Sequence, residues 1–132
     1  MYLRQSADLS PQQEAIVSSC LDCGMAVHRV LGPGYKECIY CRAFQLELDS
    51  RGIRFEAEKS VTVRYKQWDL VGQRIDLIVE GTVIVEIKSV DRLQPVYVSQ
   101  IVSYLRATNL RVGLLMNFNE TRLKNGLRRV VL

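Results

Sequence analysis

Between Arg74 and Lys88 the chain reads Arg-Ile-Asp-Leu-Ile-Val-Glu-Gly-Thr-Val-Ile-Val-Glu-Ile-Lys. Two β-rich runs, residues 74–79 and 83–88, are separated only by Glu80-Gly81-Thr82, and so close a pair predicts a β-hairpin. Side chains alternate along a strand, so Glu86 and Lys88 leave one face while Val85 and Ile87 enter apolar packing on the other. With a three-residue loop, position 79 pairs with 83 and position 76 with 86. Asp76 then faces Glu86 with Cβ atoms about 5 Å apart. A two-residue loop would slip the register by one and separate the carboxylates.

The segments around the hairpin have a helical period. Ser10 reads as an N-cap, with Pro11 at the first helical position and Gln13 closing a capping box. Ile16, Cys20, Cys23, Val27 and Leu31 then recur at spacings of three and four, until Gly32-Pro33-Gly34 stops the helix. Glu37, Tyr40, Phe44 and Leu48 predict a second helix ending at Gly52, with Gly34 as its N-cap and Glu37 at the third helical position. Val61, Val63 and Tyr65 alternate with Thr62 and Arg64 as in a half-exposed strand. Pro95 opens a third helix whose apolar side carries Val98, Ile101, Val102 and Leu105. Residues 112–116 read as a buried strand, a short segment reaches Gly126, and residues 128–132 form a last strand. This order predicts an α/β or α+β sandwich with a mixed central sheet. Residues 1–9 are polar and expected to be loose. With no repeat or low-complexity linker, 1–132 reads as a single domain.

With 48% hydrophobic and 24% charged residues over 132 positions, the chain can bury a core without disulfide staples, and disorder is excluded. A spanning helix needs roughly 20 apolar residues in a row, and none is present, so no membrane partner is expected. The N-terminus lacks the apolar stretch of a signal peptide. Four cysteines without such a signal point to a reducing cytoplasm. The net charge of +4 is uneven: residues 1–110 balance, while 111–132 carry Arg111, Arg122, Lys124, Arg128 and Arg129 against Glu120 alone. Such an end suits a polyanion, and Arg122 to Arg129 are the candidates for holding a nucleic-acid backbone. A solvated tail would carry the same charges.

Two carboxylates and a lysine meeting on one sheet face are costly unless a ligand uses them, because like charges in cross-strand register repel. A hard divalent cation removes the conflict. Mg²⁺ takes one or two carboxylates and fills its octahedron with water and phosphate oxygens, acidifying a water and polarising a phosphodiester. Lys88 could orient the attacking water or stabilise charge growing on phosphorus. A hairpin with an exposed Glu–Lys pair would carry the same residues.

Asp76 followed by Glu86-Ile87-Lys88 after a helix resembles the core of the PD-(D/E)xK nuclease superfamily. Gly34, Glu37 and Tyr40 spell G-x-x-E-x-x-Y, and the chain is similar to the GxxExxY protein family, a branch of that superfamily. Val27-His28, Arg51-Gly52-Ile53, Gln100 with Tyr104, residues 113–119 and residues 122–126 match as well, so the resemblance covers about 14–132. It implies an α/β, restriction-endonuclease-like fold with an αβββαβ core, a mixed central sheet flanked by helices. It implies that Asp76 and Glu86 bind Mg²⁺ or Mn²⁺, that Lys88 assists, and that Glu37 approaches from the preceding helix. Gln100 and Tyr104 match the Q-x-x-x-Y element of RecB-like nucleases, and their spacing of four puts both on one helix face. Tyr40 reads better as core packing with a tethered hydroxyl than as catalytic. His28 matches a histidine that some RecB-like enzymes add to the metal shell, although a hydrogen-bonded histidine between helices is favoured. Where relatives commonly carry Glu before Val-His this chain has Ala26, and Cys38 and Cys41 occupy positions that tend to be acidic.

The function implied is a divalent-metal-dependent nuclease hydrolysing nucleic acid, DNA before RNA. A homodimer would suit a small nuclease that cuts two strands. A non-catalytic nucleic-acid-binding or regulatory module on the same fold is the alternative. A second alternative comes from Cys20, Cys23, Cys38 and Cys41, whose C-x₂-C-x₁₄-C-x₂-C spacing approaches that of a zinc or iron–sulfur site. Both cysteine pairs lie in helical segments, which argues against that site.

Overall fold

A computed structural model describes residues 9–132. The expectation for residues 1–8 lies outside them, while Leu9, counted with that loose segment, is buried in the core. Helix α1 spans Pro11–Leu31. Its capping box is complete: Gln13 N donates to Ser10 Oγ (3.1 Å) and Ser10 N to Gln13 Oε1 (2.8 Å). Gly32 ends it at φ +66°, a conformation other residues rarely adopt. Helix α2 spans Glu37–Ser50, and its N-cap is Lys36 rather than Gly34, so Glu37 occupies the first helical position. Strands β1 (Phe55–Tyr65), β2 (Trp68–Val79) and β3 (Val83–Lys88) follow, then α3 (Pro95–Thr108), β4 (Val112–Asn117), a 3₁₀ turn Leu123–Gly126 and β5 (Leu127–Val131).

The five strands form one mixed sheet in chain order, with β3 and β4 parallel and every other pair antiparallel. Helix α3 makes the crossover that a parallel pair requires. On one side α1 and α2 cover Leu77, Val79, Val85, Ile87, Leu114 and Met116. On the other α3 covers Val61, Ile75, Ile84, Leu115 and Val130. Gly113 lets α3 close on the sheet, since a Cβ there would stand 2.5 Å from Ile101 Cγ2. This is an α/β fold of the restriction-endonuclease-like kind, a mixed sheet between helices. No helix among the described residues is long and apolar enough to cross a membrane.

Candidate active site

The hairpin register is that of the three-residue loop: Val79 pairs with Val83, Ile78 with Ile84 and Leu77 with Val85. The next step of the ladder is made by side chains. Asp76 N donates to Glu86 Oε2 (2.7 Å), and Ile87 N donates to Asp76 Oδ2 (2.9 Å). Each carboxylate is thereby fixed by an amide of the opposite strand. Alternation also reverses here, because Leu77 packs under α1 and α2 whereas Ile75, two residues earlier, packs under α3. Glu58, which the β1–β2 register places across from Asp76, has φ +51°, a left-handed conformation uncommon outside glycine.

The electrostatics follow from this crowding. Burial, and then the Asp76 charge, push Glu86 up to about 8 against the opposing pull of the Asp76 amide and Lys88. Asp76 is raised, first by burial and also by Glu58, while the Ile87 amide and Lys88 oppose the rise. Glu37 is raised as well, by burial first, with Lys88 opposing and Asp76 adding to the shift. Lys88 thus favours the charged form of all three carboxyls. Its Nζ lies 4.8 Å from the centroid of the Tyr97 ring, a cation–π distance. Tyr104 shares its hydroxyl proton between Arg74 O (3.0 Å) and Gln73 Oε1 (3.2 Å). Burial, then Glu86 and Asp76, raise that phenol to about 12, and the Gln100 side chain opposes the rise. A cleft of about 510 Å³ opens beside Asp76, with Glu37, Arg42, Glu58 and Arg74 in its wall.

Asp76, Glu86, Lys88, Glu37, Gln100 and Tyr104 therefore meet in one place. The other expected residues do not. Tyr40 is fully buried: its hydroxyl donates to Gly32 O (2.5 Å) and accepts from Tyr35 N (3.1 Å), and its ring stacks on Phe118. It ties the α1–α2 turn, as the tethered-hydroxyl reading expects. Ser89 Oγ donates to Tyr35 O (2.6 Å), fastening that turn to the end of β3. His28 Nε2 is 2.7 Å from the Glu120 carbonyl, and the ring lines a separate hollow with Arg29, Arg122 and Lys124. The expectation of His28 as a metal ligand is corrected on that ground, because this hollow holds neither Asp76 nor Glu86, and the hydrogen-bonded histidine, the favoured reading, is the one found. Arg122 belongs to the same hollow, away from the carboxylates. Arg129 is corrected too. It forms a two-armed ion pair with Glu14 (2.9 and 2.6 Å), so its guanidinium already serves a carboxylate.

The four thiols do not converge. Cys20 and Cys23 are buried, and Cys23 feels Arg51 and Glu47 at the far end of α2. Cys38 and Cys41 stand near the start of α2, and Cys41 is pushed up to about 12 by burial and then by Asp76, Glu37 and Glu86. Nine residues of helix between Cys38 and Glu47 amount to about 13 Å, too far for a four-thiolate cage. Among the described residues no group of three or more His, Cys, Asp or Glu is arranged to hold a metal. The donors at Asp76 and Glu86 are carboxylate oxygens only, with Oδ1 and Oε1 left outside the two amide bonds. That set suits a hard cation that completes its shell from water and phosphate.

Tyr97, Arg42 and Asn117 were not anticipated. Tyr97 stands three residues before Gln100 and seven before Tyr104, a spacing that puts all three on one helical face. Asn117 is fully buried and braces the chain after Lys88: its Oδ1 accepts from Val90 N and Asn119 N, and its Nδ2 donates to Val90 O.

No curated protein and no solved structure matches the chain significantly. A family model does, over residues 14–130. That span runs from the first turn of α1 into β5, and by it the chain belongs to the PD-(D/E)XK nuclease superfamily.

Proposed function

We propose that this protein is a divalent-metal-dependent nuclease hydrolysing phosphodiester bonds of nucleic acid. The observation that carries the reading is the pair of cross-strand hydrogen bonds, Asp76 N to the Glu86 carboxylate and Ile87 N to the Asp76 carboxylate, which holds a buried and a half-buried carboxylate together beside Lys88. Asp76 and Glu86 would hold Mg²⁺ or Mn²⁺, which when bound supplies polarisation of the phosphodiester and acidification of water. Lys88, steadied by the Tyr97 ring, places a positive charge where the reacting phosphate gains negative charge. Glu37, which shares the cleft with Asp76 and feels Lys88, would take up a proton or orient water. Gln100 and Tyr104 approach from α3 to position phosphate. Within the superfamily the GxxExxY branch is the best placement. Its motif positions are adjacent here: Tyr40 ties the Gly32–Tyr35 turn, and Glu37 follows at the head of α2.

The test is cleavage of labelled single- and double-stranded DNA and RNA with Mg²⁺, Mn²⁺ or EDTA. Asp76→Asn and Lys88→Met serve as controls whose folding is verified by circular dichroism. The expected result is metal-dependent cleavage that falls at least about a hundredfold in either variant. Binding without cleavage of any substrate would assign the fold to a non-catalytic module instead.

A further inference from the structure

Strands β1 and β2 run well past the rest of the sheet. The β3 ladder on β2 covers only Leu77 to Val79, so the outer half of the β1–β2 hairpin has no third strand. Its register pairs Val63 with Leu70 and Tyr65 with Trp68, which puts all four on one face, continuous with Val61 and hence on the α3 side. These residues are exposed: Tyr65 by 54% and Trp68 by 53%, with their rings stacked at 6.4 Å between centroids. A cation accompanies them: Lys66 Nζ sits 5.4 Å from the Tyr65 ring. Arg64 and Arg74 leave the opposite face, where they pair with Asp69 (3.1 Å) and Glu58 (3.2 Å). A bulge, Val71-Gly72 opposite Thr62, bends the arm without changing which face the pairs share.

We propose that this face is a stacking platform for unpaired bases, so that the substrate is a single-stranded nucleic acid laid along the arm toward the carboxylates. The proposal rests on the nuclease reading and names its substrate class. An exposed aromatic pair beside a cation is a combination that binds single strands, since every base offers a π-face and every phosphate a charge. The path is continuous. Gln73, paired with Val61, accepts from Tyr104, whose phenol feels Glu86 and Asp76. From Trp68 to Asp76 is eight residues of strand, about 26 Å. A second copy of the chain fits this face less well. Four half-exposed side chains offer roughly 400 Å², against the ~800 Å² per partner of a standard interface. The outer edge of β1 also carries Lys59 and Arg64, charges that discourage pairing with another strand.

Trp68 is the only tryptophan in the chain, so its fluorescence reports directly on the platform. The 132-residue protein in EDTA is titrated with (dT)₁₂ and with a duplex of equal length, and affinity is read separately from the anisotropy of a labelled strand. The expected result is saturable quenching by (dT)₁₂ and weaker response to the duplex. Affinity for the single strand should fall at least about fivefold in Trp68→Ala and in Tyr65→Ala, with Trp68→Phe closer to wild type. Equal affinity in all variants, or a duplex that quenches as strongly, would overturn the proposal. So would sedimentation showing a wild-type dimer that Trp68→Ala dissociates. Quenching by a protein that never cleaves would remove the nuclease reading and leave the platform standing. Asp76-dependent cleavage with an indifferent arm would do the reverse.

Discussion

Raising the pH of the metal-free protein from 5 to 8 should destabilise it. Glu86 is held at about 8 in the folded chain against the usual 4.5, so in that window the native state keeps a proton that the unfolded chain releases. The stability this contributes is complete below about 4.5 and lost as pH rises through 8. At ~1.4 kcal/mol for each tenfold in proton affinity, the full loss is about 5 kcal/mol, a large part of the stability of a domain this size. Asp76 and Glu37, also raised, act in the same direction. Urea unfolding in EDTA at pH 5, 6.5 and 8 measures the slope. Glu86→Gln should flatten most of it, because the amide oxygen still accepts from Asp76 N but no longer titrates. Saturating Mg²⁺, at a hundred times its dissociation constant, should restore ~2.7 kcal/mol at pH 8 and much less at pH 5, where protons compete for the same oxygens. An equal slope in wild type and Glu86→Gln, or stability that rises from pH 5 to 8, would refute the reasoning.

Three further outcomes are expected. Tyr97→Ala should lower kcat by about 2- to 30-fold by freeing the Lys88 ammonium, with Tyr97→Phe close to wild type; steady-state kinetics decides, and equal losses in both would reject the cation–π account. Asn117→Ala strips partners from two amides and a carbonyl around Val90 and should cost about 2–4 kcal/mol in urea unfolding; a loss below ~0.5 kcal/mol would contradict it. Tyr40→Phe should cost about 1–2 kcal/mol yet keep kcat within about threefold, because the hydroxyl serves the Gly32–Tyr35 turn and not the carboxylates.

What could be read in advance was whatever is decided over a few residues. The Ser10–Gln13 box, the stop at Gly32 and the 79–83 hairpin register are local, and each stands in the structure as the residues dictate. The lengths of β1 and β2 were not legible. Strands were read at 61–65 and 74–79, whereas they run Phe55–Tyr65 and Trp68–Val79, because an arm wet on both faces shows little burial alternation. The turnover at Asp76 depends on the backbone of Glu58, which a period-two rule does not see. Charge counting placed Arg129 at a substrate because its partner Glu14 lies 115 residues away. His28 was ambiguous for the same reason, its acceptor being 92 residues distant. Tyr97 was readable from spacing alone, as it shares a helical face with Gln100 and Tyr104.

The last rung between β2 and β3 is closed by reactive groups instead of by main chain alone, and this makes two ordinary amides into sensors. A cation that draws Asp76 and Glu86 toward itself must lengthen or redirect the bonds from Ile87 N and Asp76 N, so nuclear magnetic resonance shifts and exchange rates at those two protons would register occupancy before any substrate is added. Alanine at either carboxyl deprives the opposing strand of an acceptor as well as removing a ligand, and the loosened edge could imitate a chemical defect. Isosteric amides separate the two effects.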